Sequence, residues 1–226
     1  MVYYFTSNVV SPPGFIYVGK DKFENEDLIK HGWEEDIWFH ADKLSSAHIY
    51  LRLPTAGDSD DGDSPASPPW TWDALPEALL ADLAQLTKAN SIEGNKKDNV
   101  AVVYTPWSNL RKDGSMEVGQ VSFKDPRRVR RVLVPQRENP VVNRLNKTKV
   151  ERKPDLKQEK DDHLRKIRQK DQAAQLARRK EEQKQALEWK QKKYEKDHAY
   201  DDLFTEDLLE GSSNQNRSED WEDDFM

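Results

Sequence analysis

The 226-residue sequence contains no cysteine, which removes disulfides and thiolate metal ligands and fits a reducing compartment. No run approaches the roughly 20 apolar residues that span a bilayer. The opening MVYYFTSNVV also lacks the basic and then long apolar layout of a secretory signal. The chain is therefore expected in the cytoplasm, with no transmembrane segment. Also missing are the Gly-x-x-x-x-Gly-Lys-Ser/Thr phosphate loop, the Gly-x-Gly-x-x-Gly turn and the His-Glu-x-x-His metal pair. No cofactor and no metal is implied.

What is present is charge. Charged residues make up 35% of the chain, above the usual figure of about 25%, and the mean hydropathy is -1.01. One folded module with polar extensions is expected. The net charge of -6 is unevenly spread: residues 126–153 hold ten Lys and Arg against two Asp and Glu, and residues 201–226 hold one against ten. A basic segment of that kind suits a polyanion, and RNA is the common one.

The apolar runs VYYFT (2–6) and FIYV (15–18), with SPPG between them, read as a hairpin. Residues 24–31 read as a short helix ended by Gly32. DIWFHA and HIYLRL follow as two strands, and then PTAGDSDDGDSPASPP as a flexible insertion over 54–70. Leu75, Leu79, Leu83 and Leu86 mark a helix with Asp73 at its N-cap and Pro76 in its first turn. Strands are expected at 99–105, 117–123 and 128–134. The fold class is α+β, a largely antiparallel sheet with two helices over residues 1–135. A basic neck (136–153), a long charged helix (154–200) and a disordered acidic tail (201–226) complete the expectation. A helix of about 45 residues would run roughly 65–70 Å, and its sparse apolar positions predict a solvated single helix rather than a paired one.

Alternation in the 36–53 hairpin puts Ile37, Phe39, Ile49 and Leu51 on one face and Trp38, His40, His48, Tyr50 and Arg52 on the other. The second face has two readings: an aromatic and basic surface on which bases stack, or a second buried layer beneath a helix. The histidines add a third, acid and base catalysis, because an unperturbed imidazole titrates near 6.5. In that reading His40 and His48 act on a phosphodiester or ester, Asp42 orients one ring, and Lys43 or Arg52 meets developing negative charge. Ser45 and Ser46 are weaker candidates as nucleophiles.

Three ordered stretches add a resemblance. Gly19, Lys20 and Asp21 with Asn25, Glu26 and Leu28, then residues 36–40 with His48, then Tyr104, Thr105, Asn109 and Lys112 are similar to the three motifs of the NFACT-R family. Where that family often has Pro-Gly-Ser-His, this chain has Ser45, Ser46, Ala47 and His48. The resemblance covers about residues 1–135 and implies an RNA-binding module. Larger family members bind the large ribosomal subunit and peptidyl-tRNA in translation quality control; this chain resembles only their RNA-binding module, so the resemblance does not carry over roles of their other segments.

The resemblance favours rRNA and tRNA as partners, with Lys20, Asn25, Trp38, Tyr50, Arg52, Tyr104, Thr105, Asn109, Arg111 and Lys112 at the interface. Arg127, Arg128, Arg130 and Arg131, with Arg144, Lys147 and Lys149 further on, would contact phosphate. Two alternatives stand beside it. One is a peptidyl-tRNA hydrolase or acceptor-end nuclease using the histidine pair. The other is a scaffold that binds DNA, an anionic membrane surface, or a protein through the helix or acidic tail.

Overall fold

A computed structural model describes residues 1–54 and 70–198. The chain divides into two compact units, residues 1–164 and 165–226. The insertion expected at 54–70 lies almost wholly outside the described residues, and the acidic tail wholly so.

The first unit is built on a seven-stranded sheet in which every neighbouring pair is antiparallel. β1 (Val2–Ser7) and β2 (Gly14–Gly19) form the expected hairpin, and α1 (Lys22–His31) follows. Asp21 caps α1, its side chain accepting from the Phe23 and Glu24 amides. β3 (Asp36–Ala41) and β4 (Ile49–Arg52) form the second hairpin. α2 (Glu77–Ala89), β5 (Val100–Pro106), β6 (Leu110–Arg111), β7 (Ser122–Phe123) and β8 (Arg130–Val134) come next. The strand order is β8-β5-β3-β4-β2-β1 and then β9 (Val150–Arg152), while β6 and β7 make a separate small ribbon.

Both sheet faces are covered. On one, Ile16, Ile37, Phe39, Leu51 and Val102 pack against Leu79, Leu83 and Leu86 of α2 and Leu145 of α3 (Asn139–Lys147). On the other, Val2, Tyr17, Trp38, Tyr50 and Val103 pack against Leu28 of α1 and Leu110. Side chains alternate along a strand, so one hairpin supplies both layers.

Several expectations change in detail. α2 begins at Glu77 with Pro76 at its N-cap, and the Asp73 carboxylate instead accepts from the Thr71 hydroxyl at 2.6 Å. The strand expected at 117–123 is confined to Ser122 and Phe123. Gly32 does follow α1, but its backbone is extended (φ -58°, ψ 159°). Its lack of a side chain serves close approach, because a Cβ there would overlap the Trp107 ring.

The segment expected as a basic neck is folded. α3 buries Val142 and Leu145, and β9 pairs with β1 through Val2, Tyr3 and Tyr4. The amphipathic α3 was missed because only a few of its side chains are apolar. α4 (Leu156–Asp197) is the long charged helix. Its start is docked: Leu156 packs on the second core, Lys160 Nζ lies 4.5 Å from the Trp107 ring centre, and His163 stacks on Trp33. In the second unit the described residues form the rest of α4, with Arg178 and Glu182 paired at 2.9 Å.

Candidate nucleic-acid interface

Trp38 and Tyr50 are register partners across β3 and β4, as alternation requires, but the face they share is closed. Trp38 is 2% exposed and Tyr50 0%, because α1 and the segment after β5 fold back over them. Tyr50 stacks on Tyr17 with ring centroids 4.9 Å apart, so neither face is offered to a base. The open stacking surface is thereby corrected to the second reading, a buried layer beneath a helix. Tyr104 is also interior, stacked on Phe39 at 5.3 Å in the other core.

Arg52 is turned to structure in the same way. Its Nε donates to Asp36 Oδ1 at 2.9 Å and its Nη2 to Oδ2 at 3.2 Å. The Tyr17 hydroxyl and the Trp33 amide also donate to the fully buried Asp36. Arg52 lies 3.4 Å over the Trp33 ring. A buried carboxylate with four donors is compensated, and little of the guanidinium remains for RNA or for a transition state.

The histidines meet edge to face, with ring centroids 5.1 Å apart. His48 Nδ1 accepts from Trp38 Nε1 at 3.0 Å, and the Gly119 backbone lies against its ring. Burial, reinforced by the neighbouring His40, drops His48 to about 3. Burial also pulls His40 below its ordinary value, although the Ala41 and Ser46 backbones favour its charged form. His40 Nδ1 donates to the Ala41 carbonyl at 2.8 Å. Burial thus favours the neutral form of both rings, and both are engaged with the backbone, an arrangement that holds the loops around them. Asp42 pairs with Arg131 at 3.5 Å. Ser46 Oγ accepts from the Ala41 amide at 3.0 Å and so shapes the turn before His48.

The remaining motif residues build the loop that reaches the histidines. Lys112 Nζ donates to the Glu117 carbonyl at 2.7 Å and the Gln120 carbonyl at 3.1 Å, and pairs with Glu26 at 3.1 Å. Glu26 in turn accepts from the Gly119 amide at 2.9 Å. Gly119 has a φ of +81°, a conformation that favours glycine. Asn109 Nδ2 donates to Thr105 Oγ1 and to the Asp125 carbonyl, both at 2.9 Å. Asn25 is 7% exposed with its side-chain oxygen unpartnered. Lys20 and Arg111 are exposed beside Glu151 and Asp113, at 3.9 and 3.0 Å.

The cations that read as one run in sequence separate in space. Arg127, Arg128, Arg130 and Arg131 lie along or just before β8, at one edge of the sheet. Lys149 and Arg152 lie at β9, the other edge, about 29 Å away at six strand spacings of about 4.8 Å. Arg144 pairs with Asp82 at 2.5 Å, Lys147 is exposed, and Lys149 caps the Tyr3 ring at 3.6 Å. On β8 the pairing is sparse: among the described residues no carboxylate lies within ion-pair distance of Arg127, Arg128 or Arg130. Arg128 and Arg130 flank Trp72 at 5.5 and 5.6 Å. Trp72 was not foreseen, because nothing near the insertion marks it as a neighbour of β8. This ridge is a cluster of exposed cations of the kind that suits a polyanion.

Residues 1–125 match the family model of the NFACT protein RNA binding domain. Coiled-coil domain-containing protein 25 of Danio rerio is 54% identical over 168 residues, which cover 74% of this chain and 75% of that protein. Its counterpart in Bos taurus is 50% identical over 186 residues, 81% of this chain and 83% of the relative. Protein JLP2 of Saccharomyces cerevisiae is 43% identical over 156 residues, 67% and 69% respectively. Among the described residues, no helix is long and apolar enough to cross a membrane.

Proposed function

The chain belongs to the NFACT RNA-binding domain family, and from that premise we propose that it is a cytoplasmic binder of large ribosomal subunits carrying peptidyl-tRNA, acting in translation quality control without altering the RNA. The observation that carries this reading is the β8 ridge. Arg127, Arg128 and Arg130 are exposed and none is ion-paired among the described residues, although the Asp73 carboxylate acts on Arg130 from a greater distance, so they offer charge to phosphate. Neutralising phosphates releases counterions, which supplies affinity that falls steeply with salt.

The histidines support the noncatalytic form. A general acid must be protonated at working pH, and His48 at about 3 is not. Protein partners through α4 or the acidic tail remain part of the proposal.

The test incubates the full chain with large subunits carrying labelled peptidyl-tRNA and scores co-sedimentation and product size together. Binding that weakens between about 50 and 200 mM salt, fails for Arg127→Gln/Arg128→Gln/Arg130→Gln, and leaves the tRNA intact is the expected result. Release of peptide or a shortened tRNA, lost in His40→Ala/His48→Ala, would overturn it in favour of the hydrolase or nuclease.

A further inference from the structure

Beside the histidine pair, between the loop that ends at β7 and the inner side of β8, lies a slot of about 250 Å³. Trp38, 2% exposed and with His40 stacked on its ring at 5.3 Å, closes its floor, and Val121, Phe123 and Val129 form its walls. The floor is fixed, because Trp38 is held by His48 and meets Phe123 edge to face with centroids 5.8 Å apart. Polar groups gather at the rim: His40, Asp42 and the exposed Gln120. Two exposed cations stand there as well, Lys43 and Arg131, the latter 3.5 Å from the Asp42 carboxylate and still largely open to solvent.

We infer that this slot takes one unpaired nucleobase of single-stranded RNA, with the adjoining phosphates on Lys43 and Arg131. The inference rests on the RNA reading above and adds what that reading leaves open, the form of RNA preferred. Its volume falls below the roughly 300–1,000 Å³ of sites that hold drug-sized ligands, which limits the occupant to about one ring system. Apolar walls with a polar rim suit a flat heterocycle that buries its faces and keeps its edge hydrogen-bonded. A base in a duplex cannot enter, because its faces are stacked and its edge is paired.

The surroundings suit a strand. A wider cleft of about 820 Å³ shares His40, His48, Gly119 and Gln120 with the slot and opens toward Lys22 and Ser115, so the chain on the other side of the inserted base has somewhere to run. On the opposite side the slot ends at Arg131 of β8, while Arg130, one residue earlier, alternates to the other sheet face beside Trp72. Lys43 has a φ of +57°, a left-handed conformation uncommon for a side-chain-bearing residue. Such outliers concentrate at ligand clamps. Here the turn places the lysine at the slot's mouth.

The experiment compares the full-length protein's affinity for a labelled single-stranded oligoribonucleotide, a blunt RNA duplex of equal phosphate number, and a series of the same oligonucleotide with one abasic position each. The single strand should bind about tenfold more tightly than the duplex, the scale of one base contact, and one abasic position should remove most of that preference. Val121→Trp, which fills the slot, should bring the ratio of single-strand to duplex affinity toward one. Equal affinity for single strand and duplex, an abasic series with no sensitive position, or a Val121→Trp protein that keeps the preference would overturn the inference while leaving the RNA reading in place. Absence of salt-sensitive binding to every probe would remove the RNA reading, and this inference with it.

Discussion

His163 stacks on Trp33 with ring centroids 3.6 Å apart and planes 11° apart. The imidazole also lies 3.2 Å from the Glu35 carboxylate, so one side chain ties the first turns of α4 to the loop before β3. Aromatic pairs contribute about 0.5–1.5 kcal/mol beyond their burial. His163→Ala should therefore speed amide exchange in residues 156–164 and lower stability by about 1 kcal/mol. Unchanged exchange there would mean that Leu156 and Lys160 hold the helix alone.

Asp36 predicts a larger loss. Removing one member of a buried, fully hydrogen-bonded pair typically costs about 3–5 kcal/mol, because the partner charge is stranded. Asp36→Ala should cost that much in denaturant unfolding, since Arg52, Tyr17 and Trp33 all donate to the one carboxylate. Arg52→Lys should be milder yet still destabilising, because an ammonium cannot reproduce the fork or lie flat on Trp33. Parity of Arg52→Lys with the native protein would show that charge alone is needed.

The buried imidazole predicts the pH response. His48 falls from 6.5 to about 3 on folding, so below pH 6.5 the unfolded chain binds the extra proton. This contribution is full above pH 6.5 and is lost as the pH falls through about 3; at pH 4 the loss is on the order of 3 kcal/mol. His40 shifts in the same direction. Thermal unfolding from pH 7 to 4 should show a smaller pH-dependent decline for His48→Phe than for the native chain. Parallel curves would mean that His48 does not stay neutral in the fold.

The ridge makes a quantitative claim about salt. Each phosphate contact contributes about 0.7–0.9 to the slope of log affinity against log salt. Arg127→Gln/Arg128→Gln/Arg130→Gln should reduce that slope by about 2. Lys147→Gln, on the other side of the first unit, should change it by less than 1. An unchanged slope in the triple variant would move the phosphate contacts elsewhere.

What was legible in the sequence follows the range of the interaction. Alternation in the 36–53 hairpin correctly separates Ile37 and Phe39 from Trp38 and His40, because period two is a property of the strand itself. Whether the second face is open is decided by Leu28 of α1, by Leu110 and by Phe123, far along the chain, and no local pattern reports that. The same limit applies to the motif residues. Asn109, Thr105 and Lys112 stand out as polar side chains suited to RNA, but the hydrogen bonds that fold the loop over His48 become visible only in three dimensions. The basic segment was found and its geometry was not: sequence order joins Arg130 to Lys149, while the sheet puts them at opposite edges.

β8 has a neighbour on one side only among the described strands, and Arg130 and Arg131 stand exposed along it. An uncovered strand is a template on which another chain can add itself, and charge is a common safeguard. A second copy aligning there would bring arginine against arginine. The cations proposed to meet RNA would also oppose fusion of these sheets edge to edge, and replacing them with neutral side chains beside the exposed Leu133 would remove that repulsion. Loss of binding in such variants has to be measured on material shown to remain dispersed, since a clumped protein and a blind one give the same empty trace.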